Sequence, residues 1–211
     1  MRKANRQTGQ GLATKNAVSY CTHVNFVDFH FMPRINPVSK TDVPQPLQKA
    51  FDEHVRTYNT RITNMKGTLA HSLPAFEVYM QWYVLYEEMK KFLGERLAYL
   101  FAWSVSYASN CPLCTTYFRK IMIDKGENPE SLALSVFEKQ VLDFGSAIAV
   151  RQGHIDEEVY LKTAEYFNDE EIILLIAFAG QMIATNIFNN VIQTDIDDYL
   201  YEYLPNSLSS I

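Results

Sequence analysis

The stretch that decides the fold reads Asn110-Cys111-Pro112-Leu113-Cys114-Thr115-Thr116-Tyr117-Phe118, with two thiols three positions apart. It follows residues 97–107, an uncharged and mainly apolar run that predicts a helix buried on most sides. Asn110 interrupts that pattern. Pro112 suits the first position of a new helix, because its fixed φ fits and its missing N–H would have no partner there. The sequence therefore predicts Cys111 at the N-cap and Cys114 about one turn into the helix.

This location predicts how the two cysteines react. A thiol at a helix N-terminus meets free backbone N–H groups and the positive end of the helix dipole, and both favour thiolate over thiol. Cys111 is closer to the terminus than Cys114, so the dipole argument favours Cys111 as the more readily ionised sulfur. The leading interpretation is a redox-active dithiol in which Cys114 and Cys111 are both catalytic.

Three other interpretations compete with a redox pair. Two small core residues are possible, since reduced cysteine packs like a hydrophobic side chain. Structural zinc needs about four ligands, and only Cys21 and His23, far upstream in a tail-like segment, could complete the set. A permanent disulfide is disfavoured, because a two-residue loop removes little unfolded-state entropy and nothing suggests secretion.

Composition narrows the class of protein. The chain has 211 residues, 47% of them hydrophobic, so it can bury a substantial core and is most simply one domain. A net charge of −5 and the lack of a basic cluster argue against a nucleic-acid partner. No phosphate loop, nucleotide fingerprint or ligand-spaced cluster of carboxylates and histidines occurs, so we expect neither a cofactor nor a metal. Three cysteines, two of them in CxxC, favour a reducing compartment, the cytoplasm.

Three segments differ in pattern. Residues 1–31 have no apolar run like a signal-peptide core, and residues 24–31 alternate apolar and polar positions, so we expect an added arm. Residues 32–205 are predicted to form one helical domain, and residues 206–211 a C-terminal tail. Helical spacing dominates the domain and strand pairs are not indicated, which predicts an all-α single-domain bundle of about eight helices.

Local signals place several of these helices. Residues 47–58 and 73–92 carry apolar or aromatic positions at helical spacing. Pro129 and Glu130 are predicted to open the helix that follows the CxxC helix. Asn168 followed by Glu171 resembles a capping box and predicts the start of the last long helix.

That last helix begins with residues 172–178, which are apolar on every face and so should be surrounded by protein. Polar residues and a glycine at positions 180–189 interrupt it before about eighteen apolar residues accumulate, so we do not expect it to span a membrane. Its all-round apolarity suggests burial in a core that subunits share.

These residues resemble the carboxymuconolactone decarboxylase-like superfamily, and within it the alkylhydroperoxidase D-like branch. The resemblance covers about residues 32–205 and includes the CxxC pair, residues 68–74 and residues 168–190. It implies an all-helical fold that assembles as a homotrimer or homohexamer, with the cysteine site near subunit contacts. It also implies a peroxidase that reduces hydroperoxides, with an external dithiol of thioredoxin-like or lipoyl type as reductant.

The chain departs from that branch at two positions. The branch carries a Glu twelve residues before CxxC and a His four residues after it, where this chain has Tyr99 and Phe118. Both proton-handling residues are therefore absent, and we expect weak activity. The resemblance implies that Cys114 attacks peroxide and Cys111 resolves it, which is the reverse of the dipole argument, and both assignments stay open.

Two nearby residues could replace the missing groups. Glu95 lies one turn before Tyr99 on a similar helix face, although an acid that stabilises the helix N-terminus is the favoured interpretation. His71 lies at a helix entry, where a histidine more often caps or packs than catalyses.

Three functions follow. The leading hypothesis is a thiol-dependent antioxidant oxidoreductase that reduces small hydroperoxides through a dithiol/disulfide cycle. The second is a thiol-disulfide reductase or redox sensor without peroxide activity, acting on a small disulfide or a partner protein. The third is a non-catalytic oligomeric binding protein with an apolar pocket around Tyr99, Trp103 and Phe118. Lactone decarboxylation is least favoured, because that branch of the superfamily does not rely on a CxxC pair.

Overall fold

A computed structural model describes residues 32–205 and shows an all-α bundle. The eight α-helices of this part of the chain are α1 (Gln45–Tyr58), α2 (Asn64–Leu69), α3 (Leu73–Tyr79), α4 (Trp82–Ala108), α5 (Pro112–Asp124), α6 (Val136–Val150), α7 (Glu157–Ala164) and α8 (Asp169–Ile192). Two short 3₁₀ helices, Lys40–Asp42 and Asp198–Tyr203, flank them. The predicted fold class and helix number are confirmed. The arm and tail predictions fall on residues 1–31 and 206–211, outside the described residues.

Helix α4 is the centre of the bundle and packs against α5, α6 and α8. Its second half buries Leu100, Phe101 and Val105 completely, as the apolar run predicted. The helix is broken at Gly94, whose φ of 76° lies in the left-handed region that glycine adopts without a Cβ clash. The break separates an amphipathic first half from the buried second half that leads to the cysteines.

Helix α6 approaches α4 closely because Gly145 faces it. A Cβ added at Gly145 would come within 2.7 Å of the Phe101 ring and 3.0 Å of the Ser104 hydroxyl. Such distances leave no room for a methyl group, so the absence of a side chain at this position sets the distance between the two helices.

Helix α8 is long and apolar enough to cross a membrane by length and composition alone, with a mean hydropathy of 1.7. It packs against α4 and α6, however. Leu175 and Phe178 on this helix are completely buried, and the amide side chains of Asn186 and Asn189 are buried as well. Buried amide side chains and packing on two helices are typical of the core helix of a bundle.

One face of α8 is not covered within the chain. Ile173, Ile176, Ile187 and Val191 are each at least 43% exposed and recur at helical spacing. The expectation that protein surrounds this helix is therefore met on the faces toward α4 and α6 but not on this outer stripe.

Local capping explains which helix boundaries were predictable. Cys111 and Asn168 are the N-caps predicted for α5 and α8, and the Asn168–Glu171 capping box is present. The prediction that Pro129 opens a helix is wrong, because Ser135 and Glu138 form a capping box and α6 begins at Val136. The predicted single helix over residues 73–92 is also wrong, since α3 ends at Tyr79 before α4 begins.

Candidate active site

The two cysteines lie at the start of α5, directly after a tight connection from α4. Asn110 takes the left-handed conformation, with φ 50°, and Asn190 of α8 donates a hydrogen bond to its carbonyl at 3.2 Å. Cys111 is the N-cap, and its Sγ accepts a hydrogen bond from the Cys114 backbone N–H at 3.4 Å. The helix terminus, one sulfur and α8 are thereby held together.

Both thiols are free and buried, with Cys111 1% exposed and Cys114 7% exposed. The side-chain amide of Asn189, from α8, donates a hydrogen bond from Nδ2 to the Cys114 Sγ at 3.2 Å. The other end of that amide, Oδ1, is buried and has no hydrogen-bond partner among the described residues. Asn189 thus stabilises negative charge on Cys114 and keeps an acceptor free.

The pKa of the Cys114 thiol is raised well above its ordinary value. The main cause is its hydrogen bond to the Cys111 sulfur, followed by burial and by the charge of Cys111, whereas the Asn189 hydrogen bond lowers the pKa. Cys114 therefore keeps its proton in the resting pair, so its attack on a substrate requires a group that removes that proton.

A cavity of about 460 Å³ opens beside the pair and is lined by Cys114 but not by Cys111. Helices α2, α4, α5 and α8 and the C-terminal segment contribute its wall. The side chains that argue for its chemistry are Arg61, Lys66, Tyr83, Tyr117, Asn189, Asp197 and Tyr199. Of the two sulfurs, only Cys114 can meet a molecule bound there.

The C-terminal segment covers the cysteines. Ile196, Tyr199 and Leu200 pack against Cys111 and Cys114, and Leu200 is fully buried. The 3₁₀ helix Asp198–Tyr203 is fastened to α5, since the Arg119 guanidinium donates to the Tyr203 carbonyl at 2.7 Å. This short segment contributes to the burial of the pair.

Lys66 of α2 is the buried cation of the cavity and is only 3% exposed. Its Nζ donates hydrogen bonds to the Arg61 carbonyl at 2.8 Å, the Tyr83 hydroxyl at 3.0 Å and the Thr60 hydroxyl at 3.2 Å. Burial lowers the pKa of Lys66 to about 7, while nearby Asp197 raises it and Arg61 lowers it further. Near neutral pH, a substantial fraction of this amine is therefore unprotonated.

The other polar groups in the cavity are constrained. Asp197 accepts a hydrogen bond from the Asn64 backbone N–H at 2.8 Å, and burial raises the pKa of its carboxyl. Burial also raises the pKa of the Tyr83 and Tyr199 hydroxyls, so they are protonated at neutral pH. The Arg61 guanidinium stacks over the Tyr199 ring, 4.1 Å from its centroid.

The two substituted motif positions have separate environments. The Tyr99 hydroxyl donates to Glu127 Oε1 at 3.2 Å, and burial raises the pKa of Tyr99 to about 12. Glu127 in turn pairs with Arg96, so Tyr99 belongs to an ion-pair cluster outside the cavity. Phe118 does line the cavity and is 2% exposed. Neither residue replaces the proton chemistry of the missing Glu and His.

The remaining residues singled out from the sequence lie elsewhere. Glu95 is 62% exposed and pairs with Lys125 at 3.1 Å, which agrees with a structural role. The His71 Nε2 is 2.9 Å from the Asn36 carbonyl and joins the connection between α2 and α3 to the lead-in segment. Trp103 stacks on Tyr107 outside the cavity, so the pocket predicted around Tyr99, Trp103 and Phe118 is wrong except for Phe118.

Metal binding finds no support in the described part of the chain. No group of three or more His, Cys, Asp or Glu side chains between residues 32 and 205 could hold a metal ion. The two distant ligand candidates, Cys21 and His23, lie outside the described residues.

Sequence reasoning missed Lys66 and Asn189. Lys66 resembles an ordinary solvated helix residue, and nothing next to it in the sequence indicates burial. For Asn189 a signal existed, because Thr185, Asn186 and Asn189 recur on one face of an otherwise apolar helix, which indicates a buried polar site.

No protein-family model and no curated protein matches the sequence. Among solved structures, the chain is similar to the debrominase Bmp8 (TM-score 0.67, 19% identity, 80% of this chain and 95% of that chain). It is also similar to the alkylhydroperoxidase AhpD core of an uncharacterized peroxidase-related protein from Ralstonia eutropha JMP134 (TM-score 0.66, 17% identity, 82% and 96%). The fold is alkylhydroperoxidase D-like.

A peroxidase-related protein from Silicibacter sp. TM1040 has the same alkylhydroperoxidase D-like fold, with a TM-score of 0.58 and 18% identity over 76% of this chain and 89% of that chain. The resemblance noted in the sequence is confirmed at the level of fold. At these identities the shared fold leaves the reaction to be argued from the site.

Proposed function

We propose that the protein is a thiol-dependent oxidoreductase that reduces small organic hydroperoxides with Cys114 and Cys111. One observation carries this proposal: Cys114 lines a 460 Å³ cavity while its partner thiol lies directly behind it, within the same helical turn. A sulfur in contact with a substrate cavity and a second sulfur within reach of the first are what a peroxide-driven dithiol cycle requires.

The proposed dithiol cycle has three steps. The Cys114 thiolate attacks the terminal peroxide oxygen, an S–O bond forms, the O–O bond breaks, and the alkoxide takes a proton to leave as an alcohol. The Cys111 thiol then attacks the sulfenic acid of Cys114, which gives the disulfide and water. An external dithiol reduces the disulfide and is itself oxidised, and the burial of both sulfurs favours a small dithiol of lipoyl type over a thioredoxin-like protein.

The two arguments about the attacking cysteine separate into two properties of the pair. Access favours Cys114, because Cys111 does not line the cavity. Ease of ionisation argues against Cys114, because the hydrogen bond to Cys111 and burial hold the pKa of Cys114 high. Access supports Cys114 as the attacking sulfur, since a sulfur that cannot reach the substrate cannot react with it, and the Asn189 N–H supports the charge that forms.

Burial also favours a small substrate over a protein disulfide. Exchange with a partner protein proceeds through a mixed disulfide, which needs an accessible sulfur. Cys111 and Cys114 are 1% and 7% exposed beneath the C-terminal segment. A redox sensor or disulfide reductase acting on proteins is therefore the weaker proposal.

A second candidate is reductive dehalogenation of an aromatic ring. The debrominase Bmp8 has this fold, and a variant of Bmp8 is known in complex with 2,3,4-tribromopyrrole. Several aromatic rings line the present cavity, Trp82, Tyr83 and Phe118 among them. In this reaction the thiolate would take bromine from the ring, a proton would replace it, and the second thiolate would release bromide as the disulfide forms.

The surroundings of the site support two further proposals. The outer stripe of α8, at Ile173, Ile176, Ile187 and Val191, is the surface through which we propose that copies of the chain associate as a homotrimer or homohexamer.

Free thiols in a functional pair favour a reducing compartment, and we propose the cytoplasm.

The test is stopped-flow oxidation of the reduced protein by cumene hydroperoxide, with free thiols counted against time. We expect two thiols to be lost per chain, with Cys21→Ser as the control that leaves the pair intact. Cys111→Ser should stall at sulfenic acid, and Cys114→Ser should not react. If the thiols do not react with cumene hydroperoxide but bromide is released from tribromopyrrole, the second candidate replaces the proposal. Peroxide turnover that survives both cysteine substitutions would refute a cysteine mechanism.

A further inference from the structure

The cysteine site has a proton to move and lacks the residues that move it in the alkylhydroperoxidase D-like branch. Tyr99 and Phe118 occupy the two motif positions, and neither is a base near neutral pH. The proton on Cys114 must nevertheless leave before the sulfur can attack. A group elsewhere in the same cavity has to take it.

Lys66 is a buried amine of the same cavity. It lines the cavity with Cys114, yet it comes from α2, more than forty residues earlier in the chain. Its Nζ contacts three neutral oxygens, and no Asp or Glu of residues 32–205 forms an ion pair with it. A buried amine without a carboxylate in contact readily gives up its charge.

The hydrogen bonds of Lys66 suit both of its charge states. As an ammonium, Nζ donates to the Arg61 carbonyl and to the Tyr83 and Thr60 hydroxyls. As a neutral amine, it still donates to the carbonyl and one hydroxyl, and it can accept from the other hydroxyl, because hydroxyls both donate and accept. A group that cycles between two protonation states needs a site of this kind.

We propose that Lys66 is the proton-transfer residue of the site, taking the Cys114 proton as a neutral amine and returning it as an ammonium to the leaving alkoxide. This rests on the proposed peroxide reduction. The Cys114 S–H bond breaks, and the proton reaches Nζ through the Tyr83 or Thr60 hydroxyl, which accepts it and passes its own proton to the amine, so an N–H bond forms. Sulfur then attacks the terminal peroxide oxygen, and the electron pair of the O–O bond goes to the alkoxide. The ammonium protonates that alkoxide, so Lys66 ends neutral and Cys114 ends as a sulfenic acid.

Charged and titratable groups surround Lys66 on every side. They are His54 on α1, Arg61 after it, Tyr83 on α4, Tyr117 on α5, and Asp197 and Tyr199 in the C-terminal segment. Burial lowers the pKa of His54 to about 4, and His54 does not line the cavity. The tyrosines remain protonated, because burial raises the pKa of each. Of these groups, Asp197 is the rival base.

The pKa of Lys66, about 7, suits its proposed role, because general acid–base catalysis is most effective with a group that titrates near the working pH. The neutral amine is the base, so the rate should rise as pH passes upward through about 7. Asp197 raises the pKa of Lys66, so Asp197→Asn should move this midpoint to lower pH.

The experiment compares the intact protein with Lys66→Met, Lys66→Arg and Asp197→Asn. Lys91→Met is the control, because Lys91 lies outside the cavity and pairs with Glu88 at the surface. Single-turnover oxidation by cumene hydroperoxide is measured across pH. In parallel, alkylation of Cys114 by iodoacetamide is measured in the Cys111→Ser background, where no peroxide is needed. Thermal melts confirm that each variant is folded.

We expect Lys66→Met to slow oxidation by about 10²- to 10⁴-fold and to remove the midpoint near pH 7 from both pH profiles. Lys66→Arg should not restore the rate, because a guanidinium stays protonated. Lys91→Met should behave like the intact protein. A midpoint in the alkylation profile that Lys66→Met removes, without any peroxide turnover, would support the Lys66 assignment and refute the peroxidase.

Two results would overturn the role of Lys66. The first is a midpoint near 7 that persists in Lys66→Met in either assay. The second is complete loss of the midpoint in Asp197→Asn, which would make the carboxylate the base. A folded Lys66→Met with an unchanged oxidation rate leads to the same rejection.

Discussion

Burial of Lys66 makes the stability of the fold depend on pH in a calculable way. The unfolded chain should bind a proton at Lys66 with the ordinary pKa of 10.5, and the folded chain with a pKa of about 7. Between these values the unfolded state binds more protons, so the free energy of unfolding rises with pH. Below pH 7 both states are protonated and the full destabilisation by the buried ammonium is present. Above pH 10.5 the lysine is neutral in both states, and this destabilisation is absent.

The substitution Lys66→Met removes this dependence. From the two pKa values, the ionisable lysine destabilises the fold by about 4 kcal/mol at pH 7 and by about 2 kcal/mol at pH 9. Methionine adds a fixed penalty, because the Arg61 carbonyl and the Tyr83 hydroxyl lose a donor. The informative quantity is therefore the change with pH of the difference in stability between variant and parent, about 2 kcal/mol over these two pH units.

Urea unfolding of both proteins at a series of pH values measures that difference. Titration of groups far from Lys66 is common to both proteins and cancels. Lys120→Met, which removes a partly exposed lysine paired with Asp124, is the control and should show no such trend. A difference that stays constant from pH 7 to pH 9 would refute the lowered pKa of Lys66, and with it the argument that the amine can act as a base near neutral pH.

Three further predictions concern packing and charge at other positions. Asn189→Leu should slow the reaction of Cys114 with iodoacetamide by about 10- to 100-fold, because a hydrogen bond to a charged group contributes about 1.5–3 kcal/mol; an unchanged rate would exclude a role for the amide. Gly145→Ala should lower the free energy of unfolding by about 1–3 kcal/mol in urea, because its methyl would overlap the Phe101 ring, and equal stability would show that α6 can shift. Arg96→Met leaves two carboxylates unpaired and should destabilise the fold by about 1–3 kcal/mol at neutral pH and less in acid, where those carboxylates protonate; a loss that does not shrink in acid would contradict this.

The sequence predicted what local chemistry determines. Pro112 and Cys111 define a helix start, because capping depends on a few adjacent residues. The Asn168 capping box could be predicted for the same reason. The start of α6 was misplaced because two such signals lie close together, and Ser135 with its capping box prevailed over Pro129.

The sequence predicted the two cysteines of the site but not the residues that other helices contribute to it. The cysteines are adjacent in sequence, so their mutual geometry follows from one helical turn. Lys66 and Asn189 reach the same cavity from α2 and α8, which only tertiary packing brings together. The hydrogen bond from the Asn64 backbone to Asp197, 133 positions away, shows how distant segments complete this wall. No local pattern encodes such a pairing, so the burial of Lys66 and its lowered pKa could not be read from its neighbours.

The 3₁₀ helix Asp198–Tyr203, which packs with the cysteines through Leu200, also bears on how a disulfide would be reduced in the proposed cycle. Its polar contacts with α5 are the Arg119 hydrogen bond to Tyr203, a hydrogen bond from the Tyr203 hydroxyl to Asp124 at 3.1 Å, and the Lys120 ammonium 5.1 Å from the centre of the Tyr203 ring. A disulfide formed beneath this segment can be reached through the cavity that Cys114 lines, but a reductant too large for that cavity must wait until the segment lifts. At high concentration of such a reductant, recycling should then become zero order in the reductant and proceed at the opening rate, so this gate, rather than the redox potential of the donor, would set the maximal turnover.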